Sequence, residues 1–74
     1  MNKQMQPPER QFRIYISDGS TKFYLRDVIV CDKNDHYFFD VDKRFAMTFR
    51  KMNTAMKYRE RMILLNYHPH IEPV

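Results

Sequence analysis

The chain has 74 residues, a net charge of +4, one cysteine and one glycine. A lone cysteine excludes an internal disulfide, scarce glycine argues against phosphate-cradling loops, and the longest apolar run, residues 62–65, falls far short of the roughly 20 residues of a membrane helix. This length supports one small domain, whose core alone contributes only about 3–5 kcal/mol, so tight packing or a partner must supply the rest.

Residues 1–10 read as a polar arm containing Pro7 and Pro8, with order starting near Gln11. No apolar stretch follows the first charges, so the expectation is a chain without a signal peptide. Together with the single thiol, this suggests a reducing, cytoplasmic setting.

Phe12, Ile14 and Ile16 alternate with Arg13 and Tyr15, the period of a half-buried strand. Asp18-Gly19-Ser20 is a turn, and residues 21–30 form a second strand rich in β-branched and aromatic side chains. The alternation slips at Arg26-Asp27, which predicts a bulge. The residues 32–35 make a second turn of exposed acids, and 36–41 a third strand with Tyr37, Phe39 and Val41 on one face. Three such strands predict an antiparallel meander.

Phe45, Ala46 and Phe49 are spaced as one face of a helical turn. Residues 54–66 lack Pro and Gly, with Asn53 or Thr54 as the cap and Pro69 as the stop. Ala55, Tyr58, Met62 and Leu65 form the stripe that faces the sheet. A short edge strand over 71–74 completes an expected α+β fold, β-β-β-α-β, in one domain over 11–74.

Charge is segregated. Asp27, Asp32, Asp35, Asp40 and Asp42 oppose only Lys33, whereas Lys43, Arg44, Arg50, Lys51, Lys57, Arg59 and Arg61 oppose only Glu60. The basic cluster fits a phosphate backbone or an acidic protein surface, and equally a solvated face that keeps a small domain soluble. Lys57 and Arg61, four apart, are expected to project together. Tyr15, Tyr24 and Phe38 are expected on the sheet face away from the helix, beside Arg13, Lys22 and Arg26. Bases stack on such aromatics, although the segment 36–39 lacks the signature of RNA-recognition motifs. The same rings serve equally as core, or as a dimer surface through the open face or an edge strand.

Other chemistries fit poorly. Counted from Asp32, the glycine and glutamate of an EF-hand loop fall on Tyr37 and Lys43. Cys31, His36, His68 and His70 lack the paired spacing of a zinc site. Cys31 at the end of an apolar strand reads as a small hydrophobe, and no nucleophile, metalloprotease or nucleotide-binding motif is present. No metal, cofactor or catalytic residue is expected.

The layout resembles that of small proteins encoded by phages and prophages of Gram-positive bacteria. The residues carrying the likeness are the hairpin over 12–30, Ala46-x-x-Phe49, Asn53-Thr54-Ala55 opening a helix, and the short apolar terminus. The resemblance implies a binding module that modulates or inhibits a host protein or defence system in the host cytoplasm. It transfers no site residue. The expected function is therefore a non-catalytic protein-binding module, the alternative a basic nucleic-acid-binding module. Arg50, Lys51, Lys57, Arg59, Arg61, Tyr15, Tyr24 and Phe38 are the candidate contact residues in either case.

Overall fold

The computed structural model describes residues 10–74. Apart from Arg10, the arm expected over residues 1–10 lies outside the described residues. Four strands, β1 (Phe12–Ser17), β2 (Lys22–Ile29), β3 (His36–Asp40) and β4 (His70–Pro73), and one helix, α1 (Met52–Leu64), make an α+β fold. The sheet is antiparallel throughout, in the order β3-β2-β1-β4. The expected meander is present, and the terminal edge strand lies against β1.

The first hairpin closes on Asp18, whose carboxylate accepts from the backbone N–H of Ser20 at 3.0 Å and Thr21 at 2.8 Å. Those bonds hold it below its ordinary range. Gly19 sits at φ 101°, a left-handed conformation that a Cβ disfavours. The bulge falls where the alternation slipped: Leu25 pairs with Phe39 and Asp27 with Phe38, leaving Arg26 as the extra residue.

On the other side of β2, its pairing with β1 ends early. β1 and β2 pair only over Tyr15–Ser17 and Lys22–Tyr24; beyond that, the segment 46–49 enters the gap. Met47 N–H donates to the Leu25 carbonyl at 2.8 Å, and Phe12 and Phe49 exchange two backbone bonds of 2.8 Å. The helical turn expected through Phe45, Ala46 and Phe49 is therefore confined to a 3-10 turn, Lys43–Phe45, and Phe49 is in extended chain. Satisfying backbone groups left open where β1 and β2 part outweighs a weak local helical pattern.

The helix also begins earlier than expected. Lys51 occupies the N-cap position without a side-chain bond, so neither Asn53 nor Thr54 caps it. Its end is set by backbone geometry rather than by Pro69. Asn66 is left-handed at φ 70°, Asn66 N–H donates to the Ile63 carbonyl at 2.9 Å, and Tyr67 N–H donates to the Met62 carbonyl at 3.1 Å. That is a Schellman motif with asparagine in the glycine position.

The helix lies against β1 and β4. Ala55 and Met62 are fully buried against Ile14, Leu25 and Phe49, with Phe12, Ile16, Tyr37, Phe39, Tyr58, Tyr67 and Ile71 packed around them. Tyr58 is at the border of the core, and Leu65 is exposed beyond the helix end, so the expected stripe is narrower at its C-terminal end. No helix among the described residues is long and apolar enough to cross a membrane.

Candidate functional site

Chemistry-bearing side chains gather in three places: the helix, and the two halves of the sheet face turned away from it.

On the helix side, Arg61 lines the same surface as Lys57 and is 47% exposed, but it is held by an acid. Its guanidinium forms a bidentate pair with Asp35, Nε to Oδ2 at 2.7 Å and Nη2 to Oδ1 at 2.8 Å. Tyr37 donates its hydroxyl to the same carboxylate at 2.7 Å. The Asp35 side chain is only 5% exposed, which corrects the expectation of an exposed acidic turn over 32–35 at this position. The Arg61 bonds, then the Tyr37 bond, hold the Asp35 carboxyl well below its ordinary range, and the Arg61 guanidinium is raised in turn. Burial, reinforced by Asp35, pushes the Tyr37 hydroxyl up to about 12. This network ties the β2–β3 loop to the helix. Of the other candidate basic residues, Arg50, Lys51 and Lys57 are exposed and Arg59 is half-buried.

The second place is the β1–β4 half of the open face. The register sets His70, Tyr15, Tyr24 and Asp40 in one row across the sheet, because directly opposed residues share a face. His70 stacks on Tyr15 at 5.1 Å, Lys22 Nζ lies 4.4 Å from the Tyr15 centroid, and Arg13 lies 5.4 Å from that of Tyr24. Glu72 binds both cations, Arg13 at 2.6 Å and Lys22 at 3.2 Å. Burial pushes the Glu72 carboxyl up, but the Arg13 and Lys22 bonds outweigh it and leave it below its usual range. Tyr24 is only 8% exposed. Two of the rings expected to offer stacking platforms, Tyr15 and Tyr24, are thus already engaged, and the two cations beside them share one carboxylate.

The third place is the β2–β3 half of the same face, where the apolar side chains are more exposed. Tyr37 and Phe39 turn to the core, so Phe38 between them points outward and is 47% exposed. Ile29 opposes His36 on the same face and is 52% exposed. Phe45, also 52% exposed, lies 5.0 Å from the Arg26 guanidinium, which in turn pairs with Asp40 at 2.7 Å. Arg26, Asp27, Ile29, Phe38 and Phe39 line a shallow groove of about 410 Å³. Phe38 was legible in the sequence as an outward aromatic. Ile29 and Phe45 were not singled out: Ile29 shares this groove with Phe38 through the β2–β3 register, and Phe45 reaches Arg26 only through the 3-10 turn, a tertiary feature.

Cys31 follows β2 and is exposed rather than packed as a small hydrophobe. Among the described residues, no three His, Cys, Asp or Glu side chains converge as metal ligands. Comparison with protein-family models, with curated proteins and with solved structures finds no match for this chain.

Proposed function

We propose that this chain is a non-catalytic protein-binding module whose contact surface is the β2–β3 half of its open sheet face. The observation that carries this reading is the exposure of Ile29 and Phe38 in one groove with Arg26, whose guanidinium pairs with Asp40 and lies over the half-exposed Phe45. Large apolar side chains grouped within a polar rim are the anatomy of a protein interface. The likeness of the chain's layout to small phage-encoded modulators favours a host protein as the partner. The nucleic-acid reading has less support, because Arg61 holds Asp35, and Arg13 and Lys22 share Glu72. A free phosphate-binding surface needs its cations available.

The test is affinity capture from a bacterial lysate, with nuclease and across a salt series, using the native chain and three variants. Ile29→Glu and Phe45→Glu should abolish capture, Lys57→Glu should not, and binding should persist through nuclease and rising salt. Capture that disappears with nuclease, or falls steeply with salt and with Lys57→Glu, would instead establish phosphate recognition.

A further inference from the structure

The sheet has two edges, and they differ. β4 is four residues long and ends in Pro73, which has no N–H to offer a further strand. β3, His36–Asp40, carries neither Pro nor Lys and no bulge of its own, since the extra residue is on β2. Natural edge strands are often blunted by such devices; the one carboxylate of β3, Asp40, sits at its end and is tied to Arg26, which leaves the stretch 37–39 unblunted.

Among the described residues no segment pairs with the outer side of β3, and the direction of its backbone groups there follows from the bonds inside the sheet. The Leu25 carbonyl accepts from Met47, on the side of β2 away from β3. Leu25 and Phe39 are therefore a non-hydrogen-bonded pair, and Phe39 turns its N–H and C=O to the open edge. By alternation Tyr37 does the same, and Phe38 bonds inward to β2.

We infer that β3 pairs antiparallel with β3 of a second copy of this chain, about a two-fold axis through Phe38. The strand reads His36-Tyr37-Phe38-Phe39-Asp40, and this pairing matches every residue to a suitable mate. His36 faces Asp40 of the second copy, an imidazole N–H donor opposite a carboxylate acceptor. Tyr37 faces Phe39 of the second copy, and these outward-turned residues exchange both backbone bonds. Phe38 faces its own symmetry mate, an aromatic cross-strand pair. Asp40 is held in place for this by Arg26 at 2.7 Å and by Asp42 N–H at 2.8 Å. A parallel pairing would set Asp40 beside Asp40, and a shift by two residues would leave strand residues without mates. The two-fold closes on itself and consumes both β3 edges. It joins two four-stranded sheets into one and sets the two Phe38 side chains, each sharing a groove with Ile29, side by side. The inference stands on the edge of the sheet, not on the partner proposed for its face.

The test is sedimentation equilibrium of the full chain from micromolar to millimolar concentration, with a cross-linking arm. The native chain should show a concentration-dependent monomer–dimer equilibrium. Phe38→Lys sets like charges opposite each other and removes the aromatic pair, and should weaken the dimer about tenfold. At a non-hydrogen-bonded pair the Cα atoms are about 4.5 Å apart, within disulfide range. Cys31→Ser/Phe38→Cys treated with oxidised glutathione should therefore form a covalent dimer much faster than the control Cys31→Ser/Asn53→Cys. Should Phe38→Lys fail to fold, the cross-linking arm decides. A native chain that stays monomeric at millimolar concentration overturns the inference and leaves the edge for a strand of another protein. A dimer whose cross-linking at position 38 is no faster than at position 53 overturns it as well.

Discussion

Replacing Met62 with alanine removes the thioether from the centre of the contact between helix and sheet. Met62 is fully buried and belongs to the cluster of Ile14, Leu25, Phe49 and Ala55. Burying such a side chain and leaving a cavity on its removal together make Met→Ala cost about 2–5 kcal/mol. The whole domain is expected to hold only about 3–5 kcal/mol. At roughly 4–8 °C of melting temperature per kcal/mol for a chain of this size, even the low end lowers Tm by about 8–16 °C. The high end leaves the variant largely unfolded at room temperature. Leu64→Ala is the matched control, because Leu64 on the same helix is 82% exposed, and such a change should stay within about 0.5 kcal/mol. Circular dichroism melts and urea titrations of both variants read the difference. A Met62→Ala Tm within a degree or two of the native value, or an equal loss in both variants, would refute the packing of this helix through Met62.

Arg61→Glu should destabilise the fold, by breaking its bidentate pair with Asp35, whereas Lys57→Glu should leave the melting temperature unchanged; equal effects would deny Arg61 its structural role. The folded-state carboxyl of Asp35 is depressed by Arg61 and Tyr37, so its contribution is complete above the ordinary carboxylate value of about 4 and is lost as pH falls below it. Asp18 and Asp42, the latter lowered to about 2 by Arg44, act in the same direction. Tm should therefore drop on acidification, and Asp35→Asn should drop less; a flat native profile would contradict the network. At the other extreme, the Tyr37 hydroxyl is raised to about 12 by burial and by Asp35, so stability should decline between about pH 10 and 12 as the unfolded chain ionises first. Gly19→Ala meets no side chain yet should cost about 1–2 kcal/mol through its positive φ alone, as measured by urea titration; a neutral result would place that turn in another conformation.

Much of the architecture was written in local pattern. The alternation at Phe12, Ile14 and Ile16, the turn at Asp18-Gly19-Ser20 and the slip at Arg26-Asp27 predict a bulged hairpin, and the structure has it at those residues. The spacing of Ala55 and Met62 likewise marked the buried face of the helix. Such features are legible because side-chain direction repeats every 2 residues in a strand and about every 3.6 in a helix. The helix ends were less so. The cap lies at Lys51 rather than at Asn53 or Thr54, and the stop at a left-handed Asn66 rather than at Pro69. Caps depend on bonds that form only once the flanking chain is positioned.

By itself, then, the sequence determined three strands in order, one amphipathic helix, a terminal edge strand and an outward-facing Phe38. Only the tertiary structure decided which charges and rings were already occupied. Arg61 and Asp35 are 26 residues apart, and Arg13 and Glu72 are 59 apart; nothing in either local pattern announces the pairing. The loop 46–49 filled the gap beside the bulge because the Leu25 carbonyl and the Phe12 backbone needed partners there, and that placed Phe45 over Arg26. Local periodicity assigns a side chain to a face. Whether it is free there depends on chain segments that arrive from far along the sequence to satisfy its charge and cover its surface.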